Sequence, residues 1–510
     1  MLTCDWSTID GELSMTTNAD TSTAPKGERP ADVRTLASEW NSIDWERAES
    51  TVSRMQRRIS KAYRDGRTSL AKRLSYLLTH SFYAKALAVR RVSQLNKGKH
   101  TPGVDGELWL SSASKMRAVY TLNKGKYRSK PLRRIYIPKK NGKMRPLSIP
   151  TMYDRAMQAL YALELDPKQE ATADPNSYGF RIGRSCQDAK EQIRLMMATS
   201  KRPQWVLEGD IKGCFDNFSH EWLMNNIPMD KHILNEFIKA GYVYHETLFP
   251  NEKGSPQGGV ISPILANMAL NGMEEIAKKS VSFCSLVRFA DDFVAIVKTP
   301  EDAETVKQNL IPFLAERGLE LSKEKTLITH IDQGFDFLGW NFKKYKNKRK
   351  KIMLIKPSKK SLEAVKSTIR EATLGHGLAK TQDEIIIELN SKVRGWCNYH
   401  RSAVSSEIFS YVDAYMFDTL MEWGKHRHAN KGKKWIAERY WHPDTNSRKG
   451  RKIWKFCTEE NALFRPREMK IKRHIKTKNS FNPYIDTEYL SKLRESRKYE
   501  RGYRNKEFAE

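Results

Sequence analysis

The chain lacks paired cysteines. Its six cysteines (Cys4, Cys186, Cys214, Cys284, Cys397 and Cys457) are scattered over 510 residues with no C-x-x-C. That spacing argues against a zinc ribbon and a disulfide framework, and it suits a reducing compartment. Long apolar runs are missing too. No stretch approaches the roughly 18–20 residues of a membrane-spanning helix, and no apolar segment near the N-terminus could act as a signal. Acid is scarce relative to base: 60 Asp and Glu stand against 90 Lys and Arg, a net charge of +30. A chain this basic is expected to neutralise a polyanion, nucleic acid ahead of a membrane surface. The length predicts two or more domains with substantial cores, and no internal repeat is present.

Residues 1–35 are rich in Thr, Ser, Asp and Pro without apolar periodicity, which predicts a disordered leader. Residues 54–92 place apolar positions three and four apart between basic ones, which predicts amphipathic helices with either a solvated or an RNA-contacting basic face. "KPLRRIYIPKKNGKMRPLSIP" (130–150) reads as a basic hairpin turning at Asn141-Gly142. Its cations would grip phosphates or guard an edge strand. Residues 341–360 carry ten Lys or Arg and no acid, a composition shift that predicts a domain junction. In 383–400, Ile386, Leu389, Val393 and Trp396 fall on one helical face. The final 65 residues or so are basic and aromatic with little core-forming pattern.

"SLVRFADDFVAIV" (285–297) sets Asp291 and Asp292 side by side between two apolar runs. Strand, turn, strand is the plain reading, and Asp is a common turn residue. A second apolar strand, from Trp205 to Leu207, leads to Asp210. If the two strands are neighbours, three carboxylates converge, and they cannot all stay ionised without cations. Two Mg²⁺ ions about 3.5–4 Å apart would relieve them and would orient an in-line phosphoryl displacement. Between these acids lies "KGSPQGGVISPILANMAL" (253–270), whose glycines allow close backbone approach.

These blocks, with "TPGVDG", "KMRPLSIP", "NSYGFRIGRSCQDA", "LEGDIKGCFDNFSH", "GLELSKEKTLITH", "FDFLGWNF" and "LNSKVRGWCNYHR", occur in the order of a known family. The sequence resembles a bacterial group II intron-encoded reverse transcriptase, or intron maturase, in its endonuclease-lacking form. The resemblance implies an α+β right-hand polymerase. Its parts would be a helical RNA-binding extension (36–98), fingers and palm (99–342), an α-helical thumb or maturase domain X (343–445), and a basic DNA-binding region (446–510) with no HNH endonuclease.

The resemblance also assigns residues. Asp210, Asp291 and Asp292 would be catalytic and, with Ile211, would hold two Mg²⁺ ions. Lys143, Arg145, Phe215 and Gln257 would contact the nucleotide, Phe215 by excluding a 2′-hydroxyl. Phe337, Leu338 and Gly339 would grip the primer. Arg394, Trp396, Tyr399 and His400 would bind RNA. The implied partners are intron RNA, target DNA, an RNA template with its DNA primer, and dNTPs, with dimerisation left open. The implied setting is the bacterial cytoplasm, on the nucleoid when target DNA is bound. Two other readings remain at this stage: an RNA-binding splicing factor without polymerase activity, and a reverse transcriptase recruited to host defence.

Overall fold

Apolar residues at helical spacing give the N-terminal helices α1 (Pro30–Asn41), α2 (Trp45–Arg64), α3 (Thr68–His80), α4 (Phe82–Arg90) and α5 (Ser112–Thr121). The structure is a computed structural model. It describes residues 30–501 except 124, 126, 139–141, 143, 200–201, 257, 348–349 and 445–452. Asp44 caps α2 by accepting from the Arg47 amide, and Val52 and Ile59 bury its apolar stripe. The disordered leader expected over 1–35 overruns. Pro30 opens α1, where its missing N–H costs nothing, and Trp40 anchors that helix in the core. Residues 1–29 lie outside the described residues.

The middle of the chain contributes β1 (Leu132–Pro138), β2 (Met144–Ile149), α6 (Met152–Thr172), α7 (Cys186–Met197), β3 (Trp205–Asp210), β4 (Tyr242–Tyr244) and β5 (Thr247–Phe249). It continues with α8 (Ser262–Ala269), β6 (Cys284–Phe289), β7 (Asp292–Val297), α9 (Pro300–Ala315) and β8 (Leu327–His330). One sheet has the order β2-β1-β4-β5, and the antiparallel central sheet has the order β6-β7-β3-β8. Both faces of the central sheet are covered, so its strands read as unbroken apolar runs. On β7, Phe293, Ala295 and Val297 face the cluster shared with the N-terminal helices and α9, while Val294 and Ile296 face α7. Gly209 is required on β3, because a Cβ there would stand 2.2 Å from the Phe293 ring.

Beyond this come β9 (Phe335–Phe337), β10 (Trp340–Asn347) and β11 (Lys350–Pro357), which form a third sheet. The boundary expected at 342–343 therefore falls inside a strand. Phe342 and Ile355 join the palm-side core, and the buried Lys344 donates to the Thr199 carbonyl at 3.0 Å. The basic run supplies the two strands of a hairpin, part of which packs inward. The helices α10 (Lys359–Leu374), α11 (Gln382–His400), α12 (Ser406–Arg427) and α13 (Lys433–Tyr440) build a separate core. A capping box at Thr381 and Glu384 opens α11. The short hairpin β12 (Trp441–Asp444) and β13 (Ile453–Phe456) follows, and then α14 (Thr487–Arg501). No described helix is long and apolar enough to cross a membrane.

Candidate active site

Strand register brings the acids together. Asp210 ends β3 directly opposite Asp292, the first residue of β7, and Asp291 lies in the two-residue turn between β6 and β7. That turn is tight: Ala290 takes φ +57, and a Cβ on Gly179 would come within 2.4 Å of its amide. Arg288, fully buried behind the turn, donates to the Ala290 carbonyl at 3.2 Å and to Asn267 Oδ1 at 3.1 Å. Burial pushes the Asp292 carboxyl up to about 7, with Asp291 and Asp210 adding repulsion. Burial also raises Asp291, which the nearby Lys325 and Arg145 charges partly oppose. These are the signs of carboxylates short of positive charge.

Lys325 supplies some of that charge. Its ammonium donates to both oxygens of Asp210, at 3.0 and 2.9 Å, and the bond raises its own pKa. It stands where a metal ion's charge would be welcome. As the side chains lie, no group of three Asp, Glu, His or Cys among the described residues closes around one point. The donor chemistry nevertheless fits hard divalent ions, being all carboxylate oxygen. Ile211 is buried and has only backbone oxygen to offer such an ion.

Around the acids the sequence blocks interlock. Phe215 meets Phe180 edge-on at 6.2 Å, and its carbonyl accepts from the Ser255 amide at 2.7 Å. Gly254 and Gly258 take positive φ, and a Cβ on either would press on the Asp216 or Ser148 backbone at 2.6 or 2.7 Å. The Gly/Pro loop thus lies flush between the Phe215 turn and β2. Arg145, exposed on β2, is close enough for its charge to be felt at Asp291. Lys143 and Gln257 lie outside the described residues.

Leu338 and Gly339 form the two-residue turn between β9 and β10, both left-handed (φ +49 and +80), with Phe337 buried behind them. A leucine in that conformation costs on the order of 1 kcal/mol. Tyr399 holds it there: its hydroxyl donates to the Leu338 carbonyl at 2.8 Å, and its ring stacks on Trp340 at 4.5 Å.

Of the four residues expected to contact RNA, two are buried and two are half-buried. Trp396 and His400 are buried, and both meet Ser361: Trp396 Nε1 donates to Ser361 Oγ at 3.0 Å, and His400 Nε2 lies 2.9 Å from it. They are thumb core, because they sit on the same helical face as Ile386, Leu389 and Val393. Arg394 is half-buried, with its guanidinium over the Phe464 ring. Tyr399 braces the turn already described. The reading of the sequence missed Lys325 and Arg288. Lys325 stood unremarked in "SKEKT", and only the turn that bonds its amide to the Ser322 carbonyl shows which lysine returns to the acids.

Burial lowers the His400 imidazole to about 3. The unfolded chain takes up this proton near 6.5 and the folded chain does not. Stability is therefore full above about pH 6.5 and is lost as pH falls toward 3, by about 1.4 kcal/mol per pH unit. Replacing His400→Asn should remove that slope in thermal melts between pH 7.5 and 5. Equal slopes for variant and parent would contradict a buried neutral histidine.

A profile of the reverse transcriptase (RNA-dependent DNA polymerase) matches residues 137–342. That of the N-terminal domain of reverse transcriptase matches 40–122, and that of the group II intron maturase-specific domain matches 362–441. Group II intron-encoded protein LtrA of Lactococcus lactis is 30% identical over 463 residues, covering 71% of this chain and 75% of that one. Protein YkfC of Escherichia coli K12 is 32% identical over 337 residues, covering 56% and 87%. The putative COX1/OXI3 intron 1 protein of Saccharomyces cerevisiae is 29% identical, covering 50% and 38%. Enzymes of this kind work with divalent metal ions, which the carboxylate cluster suits. The chain belongs to the group II intron-encoded reverse transcriptases, RNA-directed DNA polymerases that carry a maturase domain.

Proposed function

We propose that this protein copies its intron RNA into DNA from a primer in target DNA, and binds the same RNA to promote its splicing. The observation that carries the reading is the register of Asp210 against Asp292, with Asp291 in the adjoining turn. Asp210 and Asp291 would hold two Mg²⁺ ions, with Asp292 and the Ile211 carbonyl beside them. Bound there, the ions would lower the pKa of the primer hydroxyl and polarise the reacting phosphoryl oxygens.

The chain's own groups do the rest. Lys325, which pairs with Asp210 in the free chain, would give up that hold to bound metal ions. Phe215 would close the floor of the sugar pocket and Arg145 would approach the triphosphate, and the family likeness assigns Lys143 and Gln257 to the nucleotide as well. The Leu338–Gly339 turn, with Phe337 behind it, supports the primer end. The N-terminal helices and the exposed faces of the thumb bind intron RNA through phosphates and single-stranded loops. Outward residues of the C-terminal segment, such as Arg473 and Lys478, are exposed for target DNA.

Primer extension on a generic RNA template, with dNTPs and Mg²⁺, tests the polymerase. Long cDNA supports it. No extension by protein that still binds RNA tightly would favour a splicing factor without polymerase activity. RNA affinity should fall on the order of 10³-fold between 50 and 200 mM salt, as released counterions require. A flat salt profile in filter binding would contradict phosphate-led recognition.

A further inference from the structure

The region expected to bind DNA, 446–510, is docked along much of its described length. Its first part lies on the thumb. The Phe464 amide donates to Asn390 Oδ1 at 2.6 Å, Arg467 pairs with Asp413, and the Lys472 amide donates to the Arg401 carbonyl at 2.9 Å. Its second part lies on the palm and the N-terminal helices. Asp188, fully buried in the first turn of α7, accepts from the Thr477 amide at 2.7 Å and from Arg497 at 2.8 Å, and lies 3.0 Å from His474. Thr477 Oγ1 and Arg497 also donate to the Gly183 carbonyl. Phe481 is 3% exposed, and a Cβ on Gly183 would touch its ring at 3.0 Å. Asn482 reaches Ser60 on α2 at 3.1 Å, and Tyr484 donates to Asp166 on α6.

One contact leads toward the chemistry. Asn479 donates to Asn176 Oδ1 at 2.9 Å, and the Asn176 carbonyl accepts the Arg288 amide at 3.0 Å. Arg288 in turn holds the turn that bears Asp291.

We propose that residues 472–497 form a strap that ties the thumb to the palm and sets how long the enzyme stays on its template–primer. The strap adds to the direct polar links between the two cores, which include Lys190 to Ser402, Gln187 to the Tyr399 carbonyl and Tyr399 to Leu338. Asp188, His474, Thr477 and Arg497 are its buckle. They touch no reacting atom, so they are positioning residues. Loosening the buckle lets the thumb drift from the duplex between additions and leaves the acids as they were. The inference rests on the polymerase reading for its kinetic consequence alone, since the docking is a property of the chain by itself.

The test uses the full chain with Arg497→Ala, Arg497→Lys and Asn479→Ala. Amide hydrogen exchange over 474–490 should speed up on the order of ten- to a hundredfold in Arg497→Ala, the loss expected of a buried charge-assisted hydrogen bond. Arg497→Lys should restore most of the protection. With a heparin trap present, Arg497→Ala should shorten cDNA several-fold while the rate of the first addition stays at the parent value. Asn479→Ala leaves the buckle intact and cuts the link toward Arg288, so it should slow the first addition while exchange at 474–477 and product length stay within about twofold of the parent. Fast exchange with parent product length would overturn the proposal. So would an equal fall in first-addition rate and product length, which marks a merely structural role. If the parent itself extends no primer, the polymerase reading fails while the exchange result still judges the docking.

Discussion

Asp291→Ala is expected to lower DNA synthesis on the order of 10³-fold or more, since a metal clamp contributes several kcal/mol to the transition state. The loss should not come from unfolding. Asp291 occupies a turn, and Arg288 and Gly179 hold that turn through the backbone of Ala290. The variant also removes a buried charge that repels Asp292, so its melting temperature without metal should equal or exceed the parent's. RNA binding and splicing help should stay near parental levels, because the proposed role of the acids is to hold metal ions, apart from the surfaces proposed for intron RNA. Two measurements decide the matter: single-turnover primer extension, and a splicing assay on the same preparation. If the folded variant loses both activities together, the separation of roles is wrong.

Phe215→Ala should admit ribonucleotides. The ring is half-buried, fixed by Phe180 on one side and by the Phe215–Ser255 backbone bond below. It cannot retreat without disturbing the loop that packs on Asp216 and Ser148. Forcing an extra hydroxyl against such a ring costs about 1–3 kcal/mol, the scale of overpacking. Removing the ring should therefore raise NTP incorporation relative to dNTP by roughly ten- to a hundredfold. Competition between dCTP and CTP on one template reads the ratio directly. An unchanged ratio would take Phe215 out of the sugar pocket, and the aromatic Phe180 beside it would be the next residue to replace.

How much of this was visible beforehand depended on periodicity. The role of the acids came from the family's blocks, since Asp is also a common turn residue, but the strands around Asp210 and Asp292 were legible from their apolar patterning. The α11 stripe of Ile386, Leu389, Val393 and Trp396 was legible for the same reason. That stripe already argued against Trp396 as an RNA contact, since a residue on the apolar face is spent on the core. The family block had drawn attention to residues that stabilise the thumb. The strap was illegible. An extended segment that buries Thr477, Phe481 and Asn482 against partners as much as 289 to 422 residues away leaves no local pattern. Lys325 was hidden differently: several lysines crowd "SKEKT", and only tertiary geometry separates the one that reaches Asp210.

The bond from Tyr399 to the Leu338 carbonyl, with the Trp340–Tyr399 stack beside it, bears on how such an enzyme advances. Tyr399 belongs to the long helix Gln382–His400, and Leu338 to the turn assigned to the primer end. Joined in this way, the helix and the turn move together. Any thumb movement that lets the duplex advance then carries the turn beneath the primer end along with it.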